Sequence, residues 1–222
     1  MGAICNDCGK TVEGTEKVVL SWSGGKDSAL ALYELCESGR YEVFSLLTTL
    51  MEYSEEVSLH KVHRTLIEEQ SYALGIPLQV VYLPKETTSL EYETRMRGAL
   101  EKFLKCGIKK IACGDIFLEE FREYRNKNLS KLGMEGLYPL WKKDTKKLSR
   151  KFIELGFKAV VTNVDSKVLD GKFIGRLFDY EFLDGLPSGV DPCGENGEFH
   201  SFVYDGPLFQ RNIKRKGKTT SY

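Results

Sequence analysis

Val18-Val19-Leu20-Ser21-Trp22-Ser23-Gly24-Gly25-Lys26-Asp27-Ser28-Ala29-Leu30-Ala31-Leu32-Tyr33-Glu34-Leu35 is the stretch whose reading decides the fold. An apolar run leads into a glycine turn, and the turn opens directly into a helix-like segment. A strand, a glycine turn and a helix N-terminus together make an anion site. Adjacent glycines let the backbone adopt positive φ and approach a ligand closely, and unpaired amides with the helix dipole favour phosphate oxygens. Ser23 and Ser28 add hydroxyl donors. The pattern is not G-x-x-x-x-G-K-[ST], because Leu20 and Asp27 stand where that loop needs Gly and Ser or Thr.

The chain around this junction has 222 residues, 41% hydrophobic and 29% charged, which suits one large soluble domain or two unequal ones. No run approaches the apolar length that spans a bilayer, and Met1 to Asn6 lacks a basic-then-apolar signal pattern, so the expectation is a cytoplasmic protein with no membrane partner. Lys plus Arg equal Asp plus Glu at 32 each. That balance provides no global field for nucleic acid and disfavours it as a partner. Self-association into a homo-oligomer is left open. Six cysteines read as mostly reduced thiols; only Cys5-x-x-Cys8 has ligand spacing, either half of a zinc knuckle or part of a frayed arm.

Beyond a polar arm at residues 1 to 15, β-rich runs alternate with helical segments, the pattern of a parallel α/β sheet. Strand 17 to 22 and helix 26 to 38 are followed by a strand over 42 to 49, a helix over 57 to 74 and a strand over 78 to 83. A helix over 89 to 105, a strand over 109 to 113 and a helix over 118 to 132 come next. Residues 137 to 141 read as a short fifth strand, closing a nucleotide-binding domain at 16 to 141. Residues 142 to 222 form a smaller C-terminal α+β part, with a helix at 145 to 155, strands at 158 to 163 and 198 to 204, and a short helix near 173 to 183. In open parallel sheets the ligand lies beyond the carboxyl ends of the strands, so Ser23, Thr48 or Thr49, and Asp115 should converge on one crevice.

Within the loop, Asp27 is placed to hold Mg²⁺ against phosphates or simply to sit at a helix N-terminus; Lys26 neutralises phosphate charge or is a surface lysine on the first turn. The second constellation is Gly194-Glu195-Asn196-Gly197-Glu198-Phe199-His200. If Glu198 opens a strand, Glu198 and His200 share a face, where a carboxylate and an imidazole can position a nucleophile, move a proton or hold a metal, or merely satisfy each other. His60-x-x-His63 lies one helical turn apart. Arg122 and Arg125 follow Asp115 on an amphipathic helix, either solvated or serving a site that handles triphosphate. The basic tail from Arg211 to Lys218 reads as a solvated end.

Ser23-Gly24-Gly25-Lys26-Asp27-Ser28 resembles the SGGxDS loop of the ATP pyrophosphatases, which cleave ATP to AMP and pyrophosphate while activating a substrate as its adenylate. In that family the loop holds the departing pyrophosphate. With Gly114-Asp115 after a strand and Glu195-Asn196-Gly197-Glu198 ahead of Asp205-Gly206-Pro207, the chain over about residues 17 to 210 is similar to the diphthine-ammonia ligase family. The resemblance implies a Rossmann-like, HUP-type sheet flanked by helices, and ATP and Mg²⁺ as cofactors. It also implies ammonia and a carboxylate as partners in amide formation; the best-known members amidate diphthine on translation elongation factor 2. It assigns Ser23, Gly24, Gly25, Asp27 and Ser28 to the nucleotide loop, Gly114 and Asp115 to the site lining, and Glu195, Gly197 and Glu198 to the substrate side. Asp27, Glu195, Glu198 and His200 are thus the candidate catalytic residues, with Ser23 to Ser28, Thr48, Gly114 and Asp115 binding nucleotide. His200 and Val190-Asp191-Pro192-Cys193 resemble a bacterial-type branch, which implies an inherited reaction class with a different carboxylate. The competing expectations are a tRNA-modifying or thiolating enzyme on the same scaffold and a nucleotide-binding sensor without turnover.

Overall fold

In the computed structural model, which describes residues 14–57 and 60–213, the chain first builds β1 (Glu16–Ser21), α1 (Lys26–Glu37) and β2 (Tyr41–Met51). A small antiparallel hairpin, β3 (Glu56–Val57) with β4 (Val62–His63), leads into α2 (Arg64–Leu74). β5 (Leu78–Leu83), α3 (Ser89–Lys105), β6 (Lys110–Ala112), α4 (Glu119–Ser130) and β7 (Glu135–Leu137) complete the first part. Four pairings, all parallel, join five of these strands in the order β5-β2-β1-β6-β7. The order runs outward from β1 to β5 and then restarts on the other side at β6, so the topological switch point lies between β1 and β6.

The smaller C-terminal part holds α5 (Thr145–Glu154), β8 (Lys158–Val164), a 3₁₀ turn (Gly171–Phe173), α6 (Tyr180–Asp184) and β9 (Phe199–Asp205). β8 and β9 pair antiparallel. This is the parallel sheet flanked by helices, with a smaller α+β unit, that the strand and helix pattern implied.

Alternation along β1 divides the core. Val18 and Leu20 face a cluster that takes in Leu30, Ile67, Phe152, Phe157, Val160, Phe199 and Phe202, while Val19 faces Leu47, Leu100, Phe103, Ile111 and Leu129. The first cluster therefore joins the sheet to the C-terminal unit through α1, whose Ala29, Leu30, Ala31, Leu32 and Leu35 are all buried. A helix apolar on nearly every side is one that is covered on nearly every side. Tyr33 meets Phe157 edge to face at 6.2 Å, and the C-terminal unit packs on α1 as a layer of the same core.

Several boundaries differ from the sequence pattern. The helix expected over 57 to 74 begins only at Arg64, because Val57 and Val62, both β-branched, pair across the β3–β4 hairpin instead. His63 is consequently the N-cap of α2, its ring accepting the Thr65 N–H at 3.3 Å, and it shares no helix face with His60. Tyr72 is exposed and lies under the Arg211 guanidinium at 4.1 Å, which takes Arg211 out of the solvated tail. The fifth strand stops at Leu137 and turns through Pro139, which cannot donate to a ladder. In place of one helix near 173 to 183 there are the 3₁₀ turn and α6. Among the described residues no helix is long and apolar enough to cross a membrane. Cys5, Cys8 and the tail from Lys214 lie outside the described residues.

Candidate active site

The glycine turn of residues 23–28 joins β1 to α1 at the switch point, and its shape is fixed from three sides. Gly24 has φ +80, and a Cβ there would lie 2.7 Å from both Gln70 Oε1 and Ile67 Cδ1. Gly114, at the end of β6, is pressed so closely on α1 that a Cβ would stand 2.9 Å from the Asp27 carbonyl oxygen. Both glycines thus permit close backbone packing, in addition to any approach to a ligand. Gln70, fully buried, binds the turn: its amide donates to the carbonyls of Gly24 at 2.9 Å and Val203 at 2.7 Å, and its oxygen accepts the Trp22 indole N–H at 2.8 Å.

The loop hydroxyls also serve its own conformation. Ser28 Oγ donates to the Gly25 carbonyl at 2.9 Å, and Ser23 Oγ accepts the Gly25 N–H at 3.3 Å. α1 starts at Gly25 without a side-chain cap. The Lys26 backbone N–H is accepted by Ser201 Oγ at 3.2 Å, and Asp27 is the acidic residue of the first turn, so the positive end of the helix meets the crevice with a hydroxyl and a carboxylate beside it.

A cavity of about 530 Å³ opens over this turn. Ser23, Lys26, Asp27, Ser28, Thr48, Gly114 and Asp115 line it from the first part, and Glu195, Gly197 and His200 from the second. The sequence placed Thr48 at a strand end; β2 continues to Met51, so Thr48 lies inside the strand, buried, with its hydroxyl aimed at the same space. Gly24 and Gly25 stand behind the lining.

Three polar atoms of this crevice are buried without a hydrogen-bond partner: Asp27 Oδ1, Thr48 Oγ1 and Asp115 Oδ2. Buried oxygens without partners are costly unless a ligand satisfies them. Lys26 is buried too, 3% exposed, and donates to Asp27 Oδ2 at 2.8 Å with its ammonium 5.3 Å from the Phe199 ring centroid. Burial presses the Lys26 ammonium down, but the carboxylates of Asp27 and Glu195 and the Cys193 sulfur outweigh it and leave Lys26 above its ordinary value. Burial likewise lifts the Asp27 carboxyl above the usual carboxylate range, with Lys26 offsetting only part.

Glu195 reaches the crevice from the 191–198 loop. Its Oε1 accepts the backbone N–H of Ile116 at 2.7 Å and of Phe117 at 3.3 Å. Burial raises it to about 7, assisted by the Asp27 charge and opposed by the two N–H donors and Lys26. Such a carboxyl exchanges a proton near neutrality.

Glu198 behaves differently. It precedes β9, is buried, and accepts hydrogen bonds from the Asp191 N–H at 3.1 Å, the Asn196 N–H at 3.0 Å and the Asn196 amide at 2.9 Å. Burial works to raise it, but these donors hold it below the usual carboxylate range. Its carboxylate shapes the loop that carries Glu195 and does not line the cavity, so Glu198 and His200 do not act side by side. His200 instead meets His60, ring centroids 4.6 Å apart. Arg125 lines the crevice and bonds Cys113 Sγ at 2.9 Å and Asp115 Oδ1 at 3.4 Å, while Arg122 stacks over Trp141 at 4.4 Å, away from it.

The residues fit a magnesium nucleotide. Asp27 Oδ1 is a free hard-oxygen donor, yet among the described residues no group of three or more His, Cys, Asp or Glu side chains is placed to hold a metal alone. Phosphate oxygens and water would have to complete the coordination, as is usual for Mg²⁺.

A glycine turn and a helix N-terminus at the switch point of a parallel sheet, with buried oxygens and a buried cation around them, make a crevice whose chemistry suits nucleotide phosphates. The profile of the diphthamide synthase N-terminal domain matches residues 16–136 and that of the diphthamide synthase C-terminal domain residues 144–221. The chain belongs to the diphthamide synthase family. It is 30% identical over 215 residues to human diphthine–ammonia ligase, covering 86% of this chain and 79% of that protein. Rat diphthine–ammonia ligase is 31% identical over 112 residues, 48% of this chain, and the fission yeast enzyme 27% identical over 218 residues, 89% of this chain. The chain spans 42% of the rat and 36% of the fission yeast relative.

Proposed function

We propose that this chain joins ammonia to a substrate carboxylate at the expense of ATP, releasing AMP and pyrophosphate, and that diphthine, named for its relatives, is the carboxylate to test first. One observation carries the proposal: Glu195, from the C-terminal part, stands over the same crevice as the 23–28 turn, Lys26 and Asp27. A phosphate site and a carboxyl that titrates near neutrality share one space.

In this reading a carboxylate oxygen attacks the α-phosphorus and pyrophosphate leaves; ammonia then attacks the acyl carbon, AMP leaves and the nitrogen gives up a proton. The N-terminus of α1 and the Lys26 ammonium stabilise charge on the departing pyrophosphate. Thr48 and Asp115 orient the nucleotide, and Asp27 holds Mg²⁺, which would add charge neutralisation when bound. Glu195 takes the proton from the attacking nitrogen, a role suited to a base poised near the working pH. Glu198 is a positioning residue for that loop, and residues 142–222 form the substrate-side domain. The named relatives are all eukaryotic, and they lend nothing to the bacterial-type branch suggested by His200 and Val190 to Cys193.

The test is incubation with α-labelled ATP, ammonium and diphthine-bearing elongation factor 2. AMP formed in proportion to amide supports the proposal; ADP with phosphate, or tight ATP binding with no product, overturns it.

A further inference from the structure

His60 and His200 meet in the wall of the crevice, ring centroids 4.6 Å apart at an interplanar angle of 47°. His60 comes from the turn between β3 and β4, and its ring lies directly on the phosphate turn: a Cβ on Gly25 would stand 2.9 Å from His60 Cε1. Gly25 is therefore the residue that leaves room for an imidazole against the loop. His60 Nδ1 lies 3.4 Å from the Ser201 carbonyl oxygen, and Ser201 Oγ accepts the Lys26 N–H at 3.2 Å. Facing a carbonyl, Nδ1 carries the ring proton and Nε2 keeps the lone pair.

Lys26 on α1 is the charged group whose field acts on both rings, β9 brings Ser201 to His60, and the 191–198 loop presents Glu195 to the same crevice. Burial drives His60 down to about 3, helped by His200 and Lys26, and drives His200 down to about 4, helped by Lys26. Both rings are neutral at neutral pH without ligand. A triphosphate or pyrophosphate brings several negative charges to the same wall and reverses the field that Lys26 imposes.

We propose that the His60–His200 pair belongs to the phosphate-binding machinery, and that one of the two rings takes up a proton from solvent and donates it in a hydrogen bond to the triphosphate or pyrophosphate when that anion binds. For His60 the requirement is geometric. A ring that keeps its Nδ1–H on the Ser201 carbonyl and also donates from Nε2 to a phosphate oxygen carries protons on both nitrogens, and is an imidazolium. Only one proton enters, because two imidazolium rings at this separation repel each other. The inference rests on the proposal that the 23–28 turn holds ATP phosphates.

The chain has three histidines, and the third, His63, caps α2 and serves as an internal reference. Imidazole ¹⁵N and ¹³C resonances of the whole protein, followed at neutral pH during titration with pyrophosphate and separately with AMP, test the pair directly. The expected result is that one ring of His60 or His200 moves to imidazolium shifts at pyrophosphate saturation, while His63 stays and AMP leaves both rings neutral. Saturable pyrophosphate binding with both rings still neutral overturns this inference and spares the ATP site. No saturable binding of ATP or pyrophosphate overturns both. His60→Asn, with an unchanged amide spectrum as the check on folding, is expected to bind pyrophosphate at least about tenfold more weakly and AMP as before, the loss of one charge-assisted hydrogen bond. Equal pyrophosphate affinity in that variant also overturns the inference.

Discussion

Glu195 Oε1 accepts the Ile116 N–H at 2.7 Å, across 79 positions of sequence. This bond ties the loop of the C-terminal part to the segment that leaves β6, and it holds the carboxyl where burial raises it from 4.5 to about 7. The protonated form is favoured by folding, so the stability this carboxyl contributes is complete below pH 4.5 and is lost as pH rises through 7. Glu195→Gln keeps an acceptor for Ile116 and carries no charge. Urea unfolding from pH 5 to 8 should show Glu195→Gln gaining on the parent protein as pH rises, by about 1–3 kcal/mol at the alkaline end. A difference constant across that range would contradict the raised value. If Glu195 is the base, the same variant loses the acid limb of the rate profile near pH 7.

Gln70 joins three elements with one amide: the Gly24 carbonyl in the phosphate turn, the Val203 carbonyl in β9 and the Trp22 indole. Gln70→Leu fills similar volume but strands the Trp22 indole N–H in a buried place and takes one donor each from the Gly24 and Val203 carbonyls, of which Gly24 keeps the Val203 N–H at 2.9 Å. The expected cost is about 3 kcal/mol or more in unfolding free energy, with weaker ATP binding through a loosened turn. Calorimetry and nucleotide titration of the variant check both; a loss within about 0.5 kcal/mol would show that the network is not limiting.

Lys26 and Asp27 form a pair at 2.8 Å, with side chains 4% and 27% exposed. Asp27→Asn leaves the Lys26 ammonium buried without its nearest carboxylate and should destabilise by about 3 kcal/mol; Lys26→Met leaves a partly exposed Asp27 and should cost less, and the double variant should lose clearly less than the sum. Additive losses in the cycle would mean that the two groups act independently. Asp27→Asn should also abolish the dependence of ATP affinity on Mg²⁺ while leaving AMP affinity near its original value.

Most of the succession of strands and helices, and the glycine turn between β1 and α1, were legible because each has a local signature. The run Val18 to Leu20 alternates correctly for a strand buried on both faces, and two glycines before a helix admit few structures. What the chain alone did not disclose was contact between distant segments. Gln70 sits in a helix as an ordinary polar residue, and nothing nearby announces that it serves Gly24 and Val203. His60 and His63 suggested a helical pair by spacing; the valine pairing of a two-residue hairpin separates them and sends His60 to His200. Glu195 and Glu198 were equivalent by motif, yet the N–H groups of Asp191 and Asn196 occupy one, and the crevice takes the other. Gly114 carried a signal of its own, a glycine at a strand end, whose meaning depends on how closely β6 approaches α1.

In the proposed reaction a substrate carboxylate is adenylated in the crevice between the 23–28 turn and Glu195. Diphthine-bearing elongation factor 2 with ¹⁸O in both carboxylate oxygens, incubated with ATP, Mg²⁺ and ammonium, tests it most directly. The expected result is one ¹⁸O atom in each AMP released and none in pyrophosphate, with the amide keeping the other. AMP without the label, or label appearing in inorganic phosphate, would contradict it.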